Sequence, residues 1–97
     1  MHVVVVRFEL HVPHSRSLKE KRAALKPVVE GLRSRFSLSV AEVDHQDKWQ
    51  RATLLCALVG GRDVEDRGAA LERFAESRCP DGCSAERDLL SLTDIRG

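Results

Sequence analysis

Residues 2–12 alternate. Val4, Val6, Phe8, Leu10 and Val12 fall on one face of an extended segment, and Val3, Val5, Arg7, Glu9 and His11 on the other. The first face is wholly apolar, while the second begins apolar and turns polar. Pro13 ends this strand because it has no N–H for a ladder. SRSLKE then predicts a helix, with Ser17 as N-cap and Glu20 completing a capping box. Leu18, Leu25, Val28, Val29 and Leu32 form its apolar stripe. Pro27 lies on the solvent side, where a kink is expected, and the helix should end near Arg35.

A second strand is predicted over 36–45, with Phe36, Leu38 and Val40 inward. A third over 52–60 is apolar on both sides, which suits a central strand. Gly60-Gly61 breaks it, Asp63 caps a second helix, and Val64, Leu71, Phe74 and Ala75 form that helix's buried stripe. A weaker edge strand over 84–95 closes the pattern. The order β-α-β-β-α-β predicts an α+β, ferredoxin-like sandwich as a single domain over residues 1–97. Its antiparallel sheet should run 4-1-3-2, with both helices on one face. That order centres the two most apolar strands.

Ninety-seven residues, 42% apolar and 32% charged, describe one soluble domain with little room for a deep substrate cavity. A net charge of +1 removes any bulk electrostatic case for nucleic acid, so such a case must be local. The opening valine run is too short to span a bilayer, and no membrane association is expected. Three cysteines without framework spacing suit a reducing cytoplasm. Cys56 reads as core. Cys79 and Cys83, in CPDGC, could be half a zinc site, but no His or second Cys pair lies nearby in sequence, and the stretch reads as a polar loop. No metal, cofactor or small-molecule substrate is identified.

Lys19, Arg22, Lys26 and Arg33 form a row along the first helix, and Lys21 flanks the stripe on its other side. Such a row can follow phosphates, with Arg51 as an addition, or it can be a solvated rim. Arg22 could instead pair with Glu42 or Asp44. A base-stacking sheet is not expected, because the third strand has no aromatic and Phe8 faces the helices. The open sheet face should show Val3, Val5, Leu55, Ala57 and Val59, an apolar patch that suits a homodimer or a protein partner. Gly60-Gly61 lacks a phosphate-loop fingerprint and reads as a turn.

AEVDHQDKWQRA (41–52) concentrates polar groups around the sole tryptophan. Glu42, Asp44, His45 and Asp47 could serve a metal- or acid-dependent enzyme, but no nucleophile arrangement accompanies them, and the chain reads as non-enzymatic. The favoured reading is a pinned hairpin. In it Asp44 and Asp47 tie backbone N–H groups, Glu42 or Asp44 receives Arg22 or Arg51, and Trp49 covers the end of the core. A binding loop is the competing reading.

SLKEKR (17–22), SVAEVDHQD (39–47) and WQRA (49–52) together closely resemble the signature of the YlxP-like family, small bacterial proteins of unknown function. The resemblance covers most of residues 1–60. It implies a ferredoxin-like fold and no established reaction. The genes of that family often lie among those for translation initiation and ribosome maturation, so the resemblance implies RNA or a ribosomal particle as partner.

Overall fold

Alternation becomes a sheet because one face of each strand can be buried under helices. The computed structural model describes residues 2–78 and 83–96. In it β1 (His2–His11), α1 (Leu18–Phe36), β2 (Ser39–Asp44), β3 (Arg51–Gly60), α2 (Val64–Arg78), β4 (Cys83–Ser91) and α3 (Leu92–Arg96) follow one another. The sheet runs β2-β3-β1-β4, which is the expected 4-1-3-2 read from its other edge, and all three pairings are antiparallel. Val4 stands opposite Leu58, Val6 opposite Cys56, Phe8 opposite Leu54 and Leu10 opposite Ala52. These eight are buried with Leu25, Val28 and Leu32 of α1 and Val64, Leu71 and Ala75 of α2.

The helix ends follow local chemistry. Ser17 Oγ accepts from Glu20 N–H at 3.1 Å, as a capping box requires, but the Glu20 carboxylate returns to Arg16 N–H rather than to Ser17. At the other end Ser37 adopts the left-handed region at φ 50°, and its N–H reaches Arg33 O. The helix therefore takes Phe36, which the pattern had given to β2. It runs through Pro27, which is exposed. Gly31 lets α2 approach, since a Cβ there would stand 2.6 Å from the Phe74 ring. Phe74 meets Phe36 edge-on at 5.9 Å, with Arg35 and Arg78 each 5.1 Å from its ring centre.

The last strand is shorter than expected. It stops at Ser91, and residues 92–96 form a helical turn. Ser91 and Asp94 explain the change. Asp94 Oδ2 accepts from Ser91 N–H at 2.9 Å, and Ser91 Oγ accepts from Asp94 N–H at 3.3 Å. The Ser91 backbone N–H, and then its hydroxyl, hold the Asp94 carboxyl below its ordinary range. Cys79 lies outside the described residues, while Cys83 opens β4 opposite Leu10. Among the described residues, no helix is long and apolar enough to cross a membrane.

Cys56 is wholly buried, and burial pushes its thiol up to about 12 from 9.0. Above pH 9 the unfolded chain loses this proton while the folded chain keeps it. This group's contribution therefore lowers stability as the pH rises from 9 towards 12. Native Cys56 should resist iodoacetamide at about pH 8 and be alkylated once urea unfolds the chain. Peptide mapping by mass checks this, and labelling of Cys56 in the native state would refute it.

Candidate functional site

Lys21 lies four residues before Leu25, seven before Val28 and eleven before Leu32, so helical geometry puts it on the buried stripe. It is 1% exposed. Its Nζ donates to Glu42 Oε2 at 2.8 Å, to His45 O at 2.8 Å and to Arg51 O at 3.2 Å, with Gln46 O at 3.5 Å. An ammonium has three N–H groups, and three near acceptors take them. This corrects two expectations. Lys21 is enclosed and offers nothing to a phosphate, and Glu42 receives Lys21 rather than Arg22 or Arg51. The long lysine stem lets the ammonium pass the core and reach the far end of the hairpin.

Glu42 shares the inward phase of Val40, and a bulge follows it. Glu42 stands opposite Leu54, yet Asp44 stands opposite Thr53, so two steps on β2 match one on β3. Asp44 is thereby moved to the open face, where its Oδ1 accepts from His45 N–H at 2.8 Å. His45 takes φ 58°, and its carbonyl closes a turn with Lys48 N–H at 3.0 Å. Gln46 Nε2 reaches Glu42 O at 3.1 Å. Val12 N–H reaches Gln50 O at 2.8 Å, and Gln50 Nε2 reaches Ser15 O at 3.4 Å. The connection 45–50 is thus pinned to helix, strand and neighbouring loop.

A chain of polar side chains on the open face escaped the sequence reading. Arg7 Nε pairs with Glu9 Oε1 at 3.0 Å, Thr53 Oγ1 donates to Glu9 Oε2 at 2.8 Å, and His45 Nδ1 lies 3.0 Å from Thr53 Oγ1. The single hydroxyl proton of Thr53 goes to Glu9, so its oxygen accepts from His45 Nδ1–H. Thr53 is fully buried, which keeps its hydroxyl from acting as a nucleophile on a bound molecule. Its place between Arg7 and His45 could have been sought in the alternation, since Arg7, Glu9 and Thr53 share one face. The four polar groups of 42–47 diverge: Glu42 goes to Lys21, Asp44 to the backbone, His45 to Thr53, and Asp47 to the loop surface. Among the described residues, no three His, Cys, Asp or Glu side chains converge as metal ligands.

Trp49 does not cover the core. It is 54% exposed, at the rim of an open depression of about 520 Å³ lined by His11, Asp47, Lys48, Trp49, Gln50 and Arg51. Lys19, Arg22, Lys26 and Arg33 are exposed along α1. Arg33 Nη2 also reaches Val40 O at 3.2 Å, and Lys26 lies 4.0 Å from Glu30. On the open face, Val3 stands opposite Val59, Val5 opposite Ala57 and Arg7 opposite Leu55, the register expected for the apolar patch. Val59 is 62% and Leu55 38% exposed, while Val3, Val5 and Ala57 are half-buried.

The family described as a protein of unknown function, DUF503, matches residues 3–83. The uncharacterized protein YlxP of Bacillus subtilis (strain 168) is 41% identical over 49 residues, which are 50% of this chain and 53% of that protein. The match thus spans about half the length of this relative. SnoaB, a cofactor-independent oxygenase from Streptomyces nogalater, aligns over 94% of this chain and 92% of its own with a TM-score of 0.56 at 13% identity. The de novo designed protein Foldit4 aligns over 93% and 96% with a TM-score of 0.54, also at 13% identity. At such identities the likeness is one of fold alone.

Two substitutions separate the clasp, made by Lys21 with Glu42 and the His45 and Arg51 carbonyls, from the indole. Lys21→Met strands Glu42 and several carbonyls, and should cost about 3–5 kcal/mol, as breaking a buried ion pair does. Trp49→Ala should change stability by no more than about 0.5 kcal/mol, as surface positions do. Urea unfolding of both variants is the check, and a reversed order would refute the assignment.

Proposed function

Since the chain belongs to the DUF503 family of proteins of unknown function, no activity comes with the family, and we propose that it is a non-enzymatic accessory protein that binds RNA or a ribosomal particle. The observation that carries the reading is the row on α1. Lys19 and Arg22 are exposed and, among the described residues, no acid engages them. Lys26 continues the row, and its contact with Glu30 at 4.0 Å between two exposed side chains is weak. Arg33 keeps donors beyond the one given to Val40. Cations spaced along a rigid helix match a phosphate backbone without requiring base contacts. Lys21 ties the start of this helix to the connection that carries Arg51.

A second reading has its own observation. Val59 and Leu55 are exposed on the open sheet face beside Val3, Val5 and Ala57. A second copy of the chain meeting this face would cover them, and it leaves α1 free for RNA on the opposite side of the sheet.

For RNA, log affinity should fall by roughly 0.7 per phosphate contact for each tenfold rise in salt, so by about 2 for three contacts. Replacing Lys19, Arg22 and Lys26 together by Glu should abolish binding with the urea midpoint retained. Filter binding across a salt series is the measurement, and unchanged binding by the triple variant would sink the assignment. For the dimer, wild type should sediment as twice the chain mass and Val59→Lys as one. A monomeric wild type would end that reading.

A further inference from the structure

We propose that the depression beside Trp49 is a stacking site for an unpaired RNA base, with Lys48 and Arg51 holding the adjoining phosphate. This rests on the RNA reading above and gives it a second point of contact. The carrying observation is an indole left exposed on a connection whose backbone is hydrogen-bonded. Its neighbours are fixed by the Lys21 bonds to the His45 and Arg51 carbonyls, by the His45–Lys48 turn, and by Val12 N–H on Gln50 O. On this connection Trp49 is 54% exposed. A flat aromatic face presented on a fixed loop is what a nucleobase stacks on, and such stacking tolerates any base.

The lining of about 520 Å³ supplies the rest of a nucleotide's needs. Lys48 and Arg51 are exposed cations for phosphate. Arg51 stands opposite His11 on β1, which sets both at the same strand ends. Asp47 is an acceptor suited to the exocyclic amine of a base. Gln50 is occupied, since its amide donates to Ser15 O. A second depression of about 310 Å³ shares His11 and Arg51 and continues to Ser84 of β4, with room for a neighbouring base, and Glu9, whose carboxylate is met by Arg7 and Thr53, also lines it. The sheet itself offers no aromatic for this task, because Phe8 is wholly buried. A free nucleotide has the same base and phosphate chemistry. A strand is the better occupant, because the two depressions adjoin at His11 and Arg51 and only a strand can lie along both.

Trp49 is the sole tryptophan and the chain has no tyrosine, so tryptophan emission reports this site alone. Oligoadenylate of about eight nucleotides should quench that emission, and AMP at the same concentration should not. Fluorescence anisotropy of a labelled copy of the oligomer should show Trp49→Ala weakened by roughly tenfold or more, the loss expected for one stacked base. Its salt slope should match wild type, and Trp49→Phe should recover most of the affinity. The triple Glu variant on α1 should lose affinity and salt slope together. Binding with unquenched emission and a wild-type affinity for Trp49→Ala overturns the stacking site and leaves the RNA reading standing. Failure of the wild-type chain to bind the oligomer overturns both. Equal quenching by AMP overturns RNA as the occupant.

Discussion

The ammonium of Lys21 sits where an aliphatic side chain would be expected, and one end of the molecule is organised to receive it. Taking an ammonium out of water costs several kcal/mol unless its charge and all its N–H groups are met. Glu42 supplies the charge, and the carbonyls of His45 and Arg51 supply the remaining acceptors. One atom therefore ties the first turns of α1 to the end of β2, the connection and the start of β3. The bulge between Glu42 and Asp44 belongs to the same solution. Without it the two acids would share a face, as residues two apart on a strand do. With it Glu42 turns inward to Lys21 and Asp44 turns outward to hold His45.

The sheet carries this asymmetry along its length. The helix-covered face of its two central strands is apolar from Val4 to Leu10 and from Ala52 to Leu58. The open face divides. Near Val3, Val5, Ala57 and Val59 it is apolar, and near Arg7, Glu9, Thr53 and His45 it is a hydrogen-bonded chain. The division puts the polar half beside the connection fixed by Lys21. His45 contributes to both, through its carbonyl to Lys21 and its ring to Thr53.

Topology, strand order and nearly all of the core could be read from periodicity, because alternation and the 3.6-residue stripe report burial directly. Lys21 could not be read that way, although its spacing from Leu25, Val28 and Leu32 was sufficient. Residue type outweighed position, since lysines are seldom buried. Glu42 carried the matching sign, because it shares its phase with Val40. Two charges of opposite sign at core-facing positions indicate a pair, but only if each is allowed to be buried. Trp49 failed for the converse reason. A large aromatic is usually core, and nothing local in WQRA says that its ring stays outside. The end of β4 failed because Ser91 and Asp94 form a helix cap within a run that otherwise reads as strand.

SLKEKR is well separated in sequence from SVAEVDHQD and WQRA, which follow one another across Lys48. In the fold they meet: Lys21 comes from the first, Glu42 and His45 from the second, and the Arg51 carbonyl from the third. The clasp accounts for those residues without any ligand. It does not account for the Trp49 indole, the Lys48 ammonium or the Arg51 guanidinium, since none of these side chains supplies a bond to it. A fold-holding role thus uses up the buried charges, and what is left over is one exposed ring between two cations on a rigid connection. That remainder is where a binding function can reside without disturbing the core.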